Sequence, residues 1–222
     1  MTASPQLEWI RPTHQARSRA TLDRLLDAAE ALLAEKAWED VSVAEIAQRA
    51  DSSVGAFYSR FRDKDGLLNA LHERFVAEAQ ATADEMLDPE RWRGASVSEI
   101  VEAIIEFRVR IYSERVGLLR AFMLQTIYHS GFRARAQRLA HHLSQGFVAL
   151  MIARRRELLH PEPALAAEFV GRVVNSVLQN RVLFDERAEP PGRTWTTEQI
   201  TTELTHTCLA YLGVFPESAR DM

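Results

Sequence analysis

Apolar residues recur along this chain at helical spacing, and nowhere do they alternate in the two-residue rhythm of a strand. Leu22, Leu25, Leu26, Ala29, Leu32 and Leu33 form one stripe and predict a first helix over about residues 19–36. Val43, Ile46 and Ala47 mark a short second helix that ends near Ala50. Phe57 and Phe61 anchor a third that starts at Val54 and is too short to be stable unless docked on its neighbours. A longer helix follows from Asp63 through Leu67, Leu68, Leu71, Phe75 and Met86, stopping before Pro89. Further segments fall at 97–113, 115–129, 132–157, 163–186 and 196–213. They are separated by Gly131, by Pro161 with Pro163, and by a firm loop at 186–195 carrying Pro190, Pro191 and Gly192. Residues 1–18 contain Pro5 and Pro12, show no period, and are expected to form a flexible arm. The fold class predicted is all-α.

Local chemistry sharpens the segment 42–68, SVAEIAQRADSSVGAFYSRFRDKDGLL. Ser42 and Glu45 stand three apart, as in a capping box, and Ser53 is a good N-cap for the third helix. Asp51, Ser52 and Ser53 between the two helices favour a tight polar turn. Two short helices joined in this way have the build of a helix-turn-helix. The side of the second helix away from Phe57 and Phe61 carries Ser53, Gly55, Ala56, Tyr58 and Ser59, small or hydrogen-bonding groups that suit close approach to base edges and phosphates.

Residues 19–68 resemble the N-terminal domain of the tetracycline-repressor (TetR) family of bacterial transcription regulators. The resemblance rests on TLDRLLDAAEALLAEKAWEDVSV, the AEIA core, the series Gly55, Tyr58, Phe61 and Lys64, and FRDKDGLL. It implies an N-terminal three-helix DNA-binding domain over 19–66 and a larger helical ligand-binding and dimerisation domain over 67–222. The chain departs from the family pattern at Asp51 and Ala37, where glycine is usual, and at Ser52, where an apolar residue is usual. Strain or altered turn geometry is expected there.

The resemblance assigns Tyr58 and Lys64 to phosphate contacts. Arg17, Arg19, Thr21 and Ser42 join them on the DNA-facing side, and Ser53, Val54, Gly55, Ala56 and Ser59 are placed for base edges. A ligand cavity is implied in the C-terminal region, with Phe107, Arg108, Ile111, Tyr112, Phe122, Gln125, Tyr128, His142, Phe147, Asn175 and Gln179 as candidate lining groups. The last two segments carry apolar faces, Phe169 to Leu178 and Ile200 to Leu212, broad enough for both an internal core and a two-fold partner.

Charge agrees with this reading in its distribution more than in its sum. The 222 residues carry a net charge of −4, yet Arg11, Arg17, Arg19 and Arg24 face only Asp23, and Arg49, Arg60, Arg62 and Lys64 face Asp51 and Asp63. So small a basic footprint neutralises few phosphates, which favours two subunits acting together. The longest apolar run, Phe147 to Ala153, is too short to span a bilayer, and the start has no hydrophobic signal core, so a cytoplasmic protein is expected. Cys208 is the single cysteine and forms no disulfide framework within one chain. Adjacent His141 and His142 point about 100° apart on a helix and do not share a face, so no metal site is expected. There is no glycine-rich phosphate loop and no nucleophile elbow, so no enzyme and no cofactor are expected.

The function expected from sequence is therefore a ligand-responsive, homodimeric repressor of a palindromic double-stranded DNA operator, answering to a small-molecule effector. The alternative is a helical small-molecule-binding or protein-interaction module with a non-functional reader.

Overall fold

The computed structural model describes residues 16–184 and 195–214. The expected loop at 186–195, up to residue 194, and most of the N-terminal arm lie outside them. Among the described residues the secondary structure is helical throughout: α1 (Ala16–Leu33), α2 (Val43–Arg49), α3 (Val54–Tyr58), α4 (Lys64–Met86), α5 (Val97–Glu114), α6 (Val116–Tyr128), α7 (Ser130–Ala153), α8 (Pro163–Phe184) and α9 (Thr197–Leu212). Short 3-10 turns lie at Trp38–Asp40, Pro89–Trp92 and Arg155–Glu157. Helix α1 begins inside the expected arm, at Ala16, and ends three residues before the expected 36. Helix α7 stops at Ala153, where Arg154 turns its guanidinium back onto the carbonyls of Leu150, Trp92 and Ala95.

The helix starts follow from local hydrogen bonding. Ser42 with Glu45, Ser96 with Glu99 and Thr196 with Gln199 form complete capping boxes at α2, α5 and α9. Ser53 Oγ accepts from the Ala56 amide at 3.0 Å, and Asp63 Oδ1 accepts from the Gly66 amide at 2.7 Å.

Packing groups the chain into two compact units. The first comprises residues up to 79 together with 117–136; the second comprises 80–116 and 137 onward. In the first unit, Leu25, Leu26, Ala29, Ile46, Phe57, Phe61, Leu67, Leu68 and Leu71 share one core with Leu118, Phe122 and Phe132. The core of the reader is thus completed by a segment some fifty residues further along the chain. Two contacts fix it there. Gly117 lies so close to α1 that a Cβ on it would stand 1.7 Å from the Leu33 carbonyl oxygen, so only glycine lets α6 start at that point. Arg135, at the start of α7, donates from Nε to His72 Nδ1 at 3.1 Å and from Nη2 to Asn69 Oδ1 at 2.8 Å, and pairs with Glu73 at 3.4 Å. His72 is buried between the rings of Phe122 and Phe132, at 4.7 and 4.5 Å between centroids. Burial, with Arg135 adding to it, holds its pKa down to about 3, so it sits in the core as a neutral imidazole.

The second unit is built on α5, packed against α8 and α9 with the later turns of α7. Ile100, Val101, Ile105 and Val109 meet Leu150, Met151, Val170, Val174, Leu178, Leu204, Cys208 and Leu212. Glu157 accepts the Val97 amide at 2.8 Å and so ties the turn after α7 to the start of α5.

Candidate nucleic-acid interface

The turn between α2 and α3 decides whether α3 is presented as a reading helix. Asp51 takes the left-handed conformation, φ +46°. Its amide donates to Gln48 O at 3.1 Å and the Ser52 amide donates to Ala47 O at 2.9 Å. These are the two bonds of a Schellman cap, with aspartate standing in for the usual glycine. The turn geometry is therefore regular, and the cost of the departure is confined to one strained residue. At Ala37 the expected strain is absent. The helix has already ended, and Ala37 is extended at φ −67° and ψ 152° as the N-cap of the 3-10 turn, a conformation any residue adopts.

Helix α3 is held by Phe57, fully buried against Phe61 at 5.3 Å between ring centroids. Tyr58 sets its ring edge-on to Phe57 at 5.3 Å and is 48% exposed; Val54 is 43% exposed. Ser53, Gly55 and Ser59 are exposed beside them, and Ala56 is half-buried. The candidate base-reading residues therefore share one solvent-facing surface, with Tyr58 at its edge. Around Gly55 there is open space: an added Cβ would meet only Ser53 Oγ, at 3.8 Å. No internal packing requires this glycine.

The supporting groups are mostly bound to the scaffold. Glu45, besides capping α2, pairs with Lys36, and these bonds, Lys36 first and Ser42 after it, hold its pKa down to about 2. Arg24 donates to Ala50 O at 3.1 Å, closing the end of α2, and to Thr21 Oγ1 at 3.3 Å. Arg49 pairs with Glu35 at 2.6 Å. Arg60 bends back to Ala56 O at 2.9 Å and Ser59 Oγ at 3.1 Å.

Lys64 departs from its expected role. Its ammonium donates to the carbonyls of Trp38 at 2.7 Å, Val41 at 2.8 Å and Glu39 at 3.4 Å, and lies 4.8 Å over the Trp38 ring. All three protons are taken by the turn between α1 and α2, so Lys64 is a tie inside the domain and not a free phosphate donor. Arg62, two residues earlier, is exposed and has no bonded partner among the described residues. Sequence reading counted it as part of the basic stretch without singling it out. Arg19 and Ser42 are exposed and Thr21 is half-buried. Arg17 lies in α1, its side chain outside the described set.

The proposed ligand-lining residues do not converge. Phe122 is buried in the core of the first unit, its ring tilted against His72. Gln125 and Tyr128 belong to the same unit, with Tyr128 80% exposed. In the second unit Phe147 is a core residue, Gln179 is exposed, and His142 bonds Asp84 at 2.7 Å. Phe107 and Ile111 are half-buried on α5. Only Arg108, Tyr112 and Asn175 come together: Arg108 Nη2 and Tyr112 Oη donate to Asn175 Oδ1 at 3.0 and 3.2 Å.

An all-helical chain whose N-terminal unit presents a capped, solvent-facing reading helix after a tight turn is, by class, a helix-turn-helix DNA-binding regulator. The sequence model for bacterial regulatory proteins of the tetR family matches residues 25–71. Comparison with curated proteins yields no match. Among solved structures, one from Mesorhizobium loti MAFF303099, assigned to the TetR family of transcriptional regulators, aligns with TM-score 0.69 at 15% identity, over 90% of this chain and 98% of its own. PfmR, a TetR-family regulator of Thermus thermophilus, aligns with TM-score 0.60 at 18% identity over 88% and 100%. Salmonella enterica GusR aligns with TM-score 0.60 at 17% identity over 87% and 95%. At these identities the structural likeness speaks for the fold, and the sequence match at 25–71 speaks for the reader. Residues 25–71 thus match the DNA-binding domain of the TetR family of bacterial regulators, and the fold of the chain is that of the TetR-family structures it aligns with. No helix among the described residues is long and apolar enough to cross a membrane.

Proposed function

We propose that the protein is a ligand-responsive transcriptional repressor that binds a palindromic operator as a homodimer, each subunit reading one half-site with α2 and α3. The observation that carries this reading is the surface of α3. Val54, Gly55, Tyr58 and Ser59 are exposed together beyond the Ser53 cap, on a helix whose other side is locked by Phe57. Ser53 and Ser59 offer hydroxyls to base edges, the Val54 methyls suit a thymine methyl, and Tyr58 with Arg62 would position the backbone. Lys64 serves by holding the α1–α2 turn against the start of α4.

Dimerisation is supported by an apolar groove on the outer side of α8 and α9, lined by Phe169, Val170, Val173, Thr207, Cys208 and Tyr211. Phe169 and Tyr211, in ring contact at 5.1 Å, are both exposed on it. Two copies joined there would bring two readers to one duplex, with recognition helices about 34–36 Å apart in the DNA-competent state. An effector that prefers another arrangement of the readers would weaken operator binding by population shift.

Selection of random duplexes on the purified protein tests the reading, with Tyr58→Phe and Arg62→Ala as controls and sedimentation for the assembly state. An inverted repeat bound by a dimer and weakened by both variants is expected. Sequence-independent binding alone, or a monomer, would refute it and leave the alternative of a helical module with an inactive reader.

A further inference from the structure

Within the second unit Arg108 is a half-buried cation with no counter-ion among the described residues. Arg108 lies half-buried on α5, between Ile104 one turn before it and Ile111 and Tyr112 one turn after it. Among the described residues its only hydrogen bond is to the neutral amide oxygen of Asn175, and it forms no ion pair there. It is close enough to α9 for its charge to be felt at Cys208, whose thiol is pushed up to about 11 by burial and pulled partly back by Arg108. A guanidinium has five N–H donors in a planar fork. One is used here, and none of its other nitrogens is sealed from solvent. A half-buried cation in apolar surroundings normally takes a carboxylate as partner.

We propose that Arg108, with Tyr112 and Asn175, is the docking point for the carboxylate of an organic acid with an apolar body, and that such an acid is the effector class. This rests on the ligand-responsive reading above. The free edge of the guanidinium accepts a carboxylate side-on through two parallel N–H···O bonds. The Tyr112 hydroxyl, on the same α5 face, holds Asn175 by its side-chain oxygen, which leaves the Asn175 amide N–H groups, facing it from α8, to donate to the anion. The half-buried Ile104, Phe107 and Ile111 of α5 meet the apolar remainder. One positive charge in the cluster matches a monoanion, whereas a phosphomonoester dianion would call for a second cation in it.

The test titrates the full chain with benzoate and octanoate, with benzamide and octanamide as neutral counterparts and phenyl phosphate as the competing anion, by calorimetry and thermal shift. The carboxylates are expected to bind and the amides not. Arg108→Gln should weaken carboxylate binding roughly ten- to hundred-fold, as loss of charge-assisted hydrogen bonds does. Arg108→Lys, which keeps the charge but not the fork, should fall between. If Arg108→Gln fails to fold, Arg108→Lys and Tyr112→Phe carry the test. In ligand-free buffer Arg108→Gln should melt no lower than wild type, since the charge it removes has no partner; a merely structural cross-link would lower the melting point. Equal binding of acids and amides, binding unchanged in the variants, tighter binding of phenyl phosphate, or no binding across the series overturns the proposal. Duplex selection separates it from the wider reading. Operator binding without carboxylate binding removes this site alone, and carboxylate binding without any operator removes the regulator reading alone.

Discussion

Gly55→Ala separates the demands of the fold from the demands of the duplex. In the protein itself the new methyl meets only Ser53 Oγ, at 3.8 Å, and the backbone is helical. Alanine in place of an exposed helical glycine stabilises by roughly 0.5–1 kcal/mol. The low end applies here, because Gly55 is in the first turn of a five-residue helix. For a chain of this size that is a rise in melting temperature of about 1–2 °C. Against DNA the sign reverses. The methyl occupies space beside Ser53 and Tyr58 that a base edge or phosphate must enter, and losing one good contact costs about 1–3 kcal/mol, or roughly five- to hundred-fold in affinity. Fluorescence anisotropy on the selected operator at fixed salt, beside a thermal melt, reads both. A variant more stable and weaker in binding is expected. Unaltered operator affinity would refute the assignment of this surface to DNA, and a lower melting point would show that the glycine serves internal packing.

Four further outcomes follow from the same geometry. Lys64→Ala should destabilise the protein by about 2 kcal/mol in chemical denaturation, since a charged donor and its acceptors are lost. Arg62→Ala should leave stability unchanged while lowering the slope of log affinity against log salt by about 1; exchange of these two phenotypes would reverse the roles given to the pair. Gly117→Ala should cost several kcal/mol or prevent folding, because backbone cannot retreat from a 1.7 Å approach as a side chain can; near-native denaturation would show that α6 is free to shift from α1. Lastly, the His72 imidazole binds its proton at about 3 when folded and near 6.5 when unfolded. Stability should be full above pH 6.5 and fall by about 1.4 kcal/mol per unit as pH drops from there toward 3. A urea titration across that range should show the slope, and His72→Gln should flatten it; an equal slope in the variant would place the acid sensitivity elsewhere.

The reader was legible where its determinants are local. Ser42 with Glu45, Ser53, and Asp63 each bond an amide three residues away, so spacing in the sequence is enough to find them. The turn at Asp51 was legible in kind, since aspartate tolerates the left-handed region, while the Schellman bonds that regularise it needed coordinates. The bonds of Lys64 were not legible, because its partners, the carbonyls of Trp38, Glu39 and Val41, lie some twenty-five residues away, and backbone acceptors leave no trace in a side-chain pattern. The dispersal of the ligand-lining set over two cores was hidden for a related reason. Helical periodicity says that Phe122 and Phe147 face inward but not toward which core, and one proves to complete the reader while the other fills the second unit. Arg108, Tyr112 and Asn175 came out together because polar atoms on otherwise apolar faces must find one another.

The reader's interrupted chain path sets an order on synthesis. Its helix-turn-helix is made early, but Phe122, Phe132 and Arg135 must leave the ribosome before His72 and the inner side of α4 are covered. Until then, Leu67, Leu68 and Leu71 wait without their full complement of neighbours. The nascent protein therefore passes through an interval of more than fifty residues in which a recognition helix exists in sequence but not as a finished domain. A fragment cut after α4 would remain in that interval permanently, a poor substitute for the intact chain in any binding experiment.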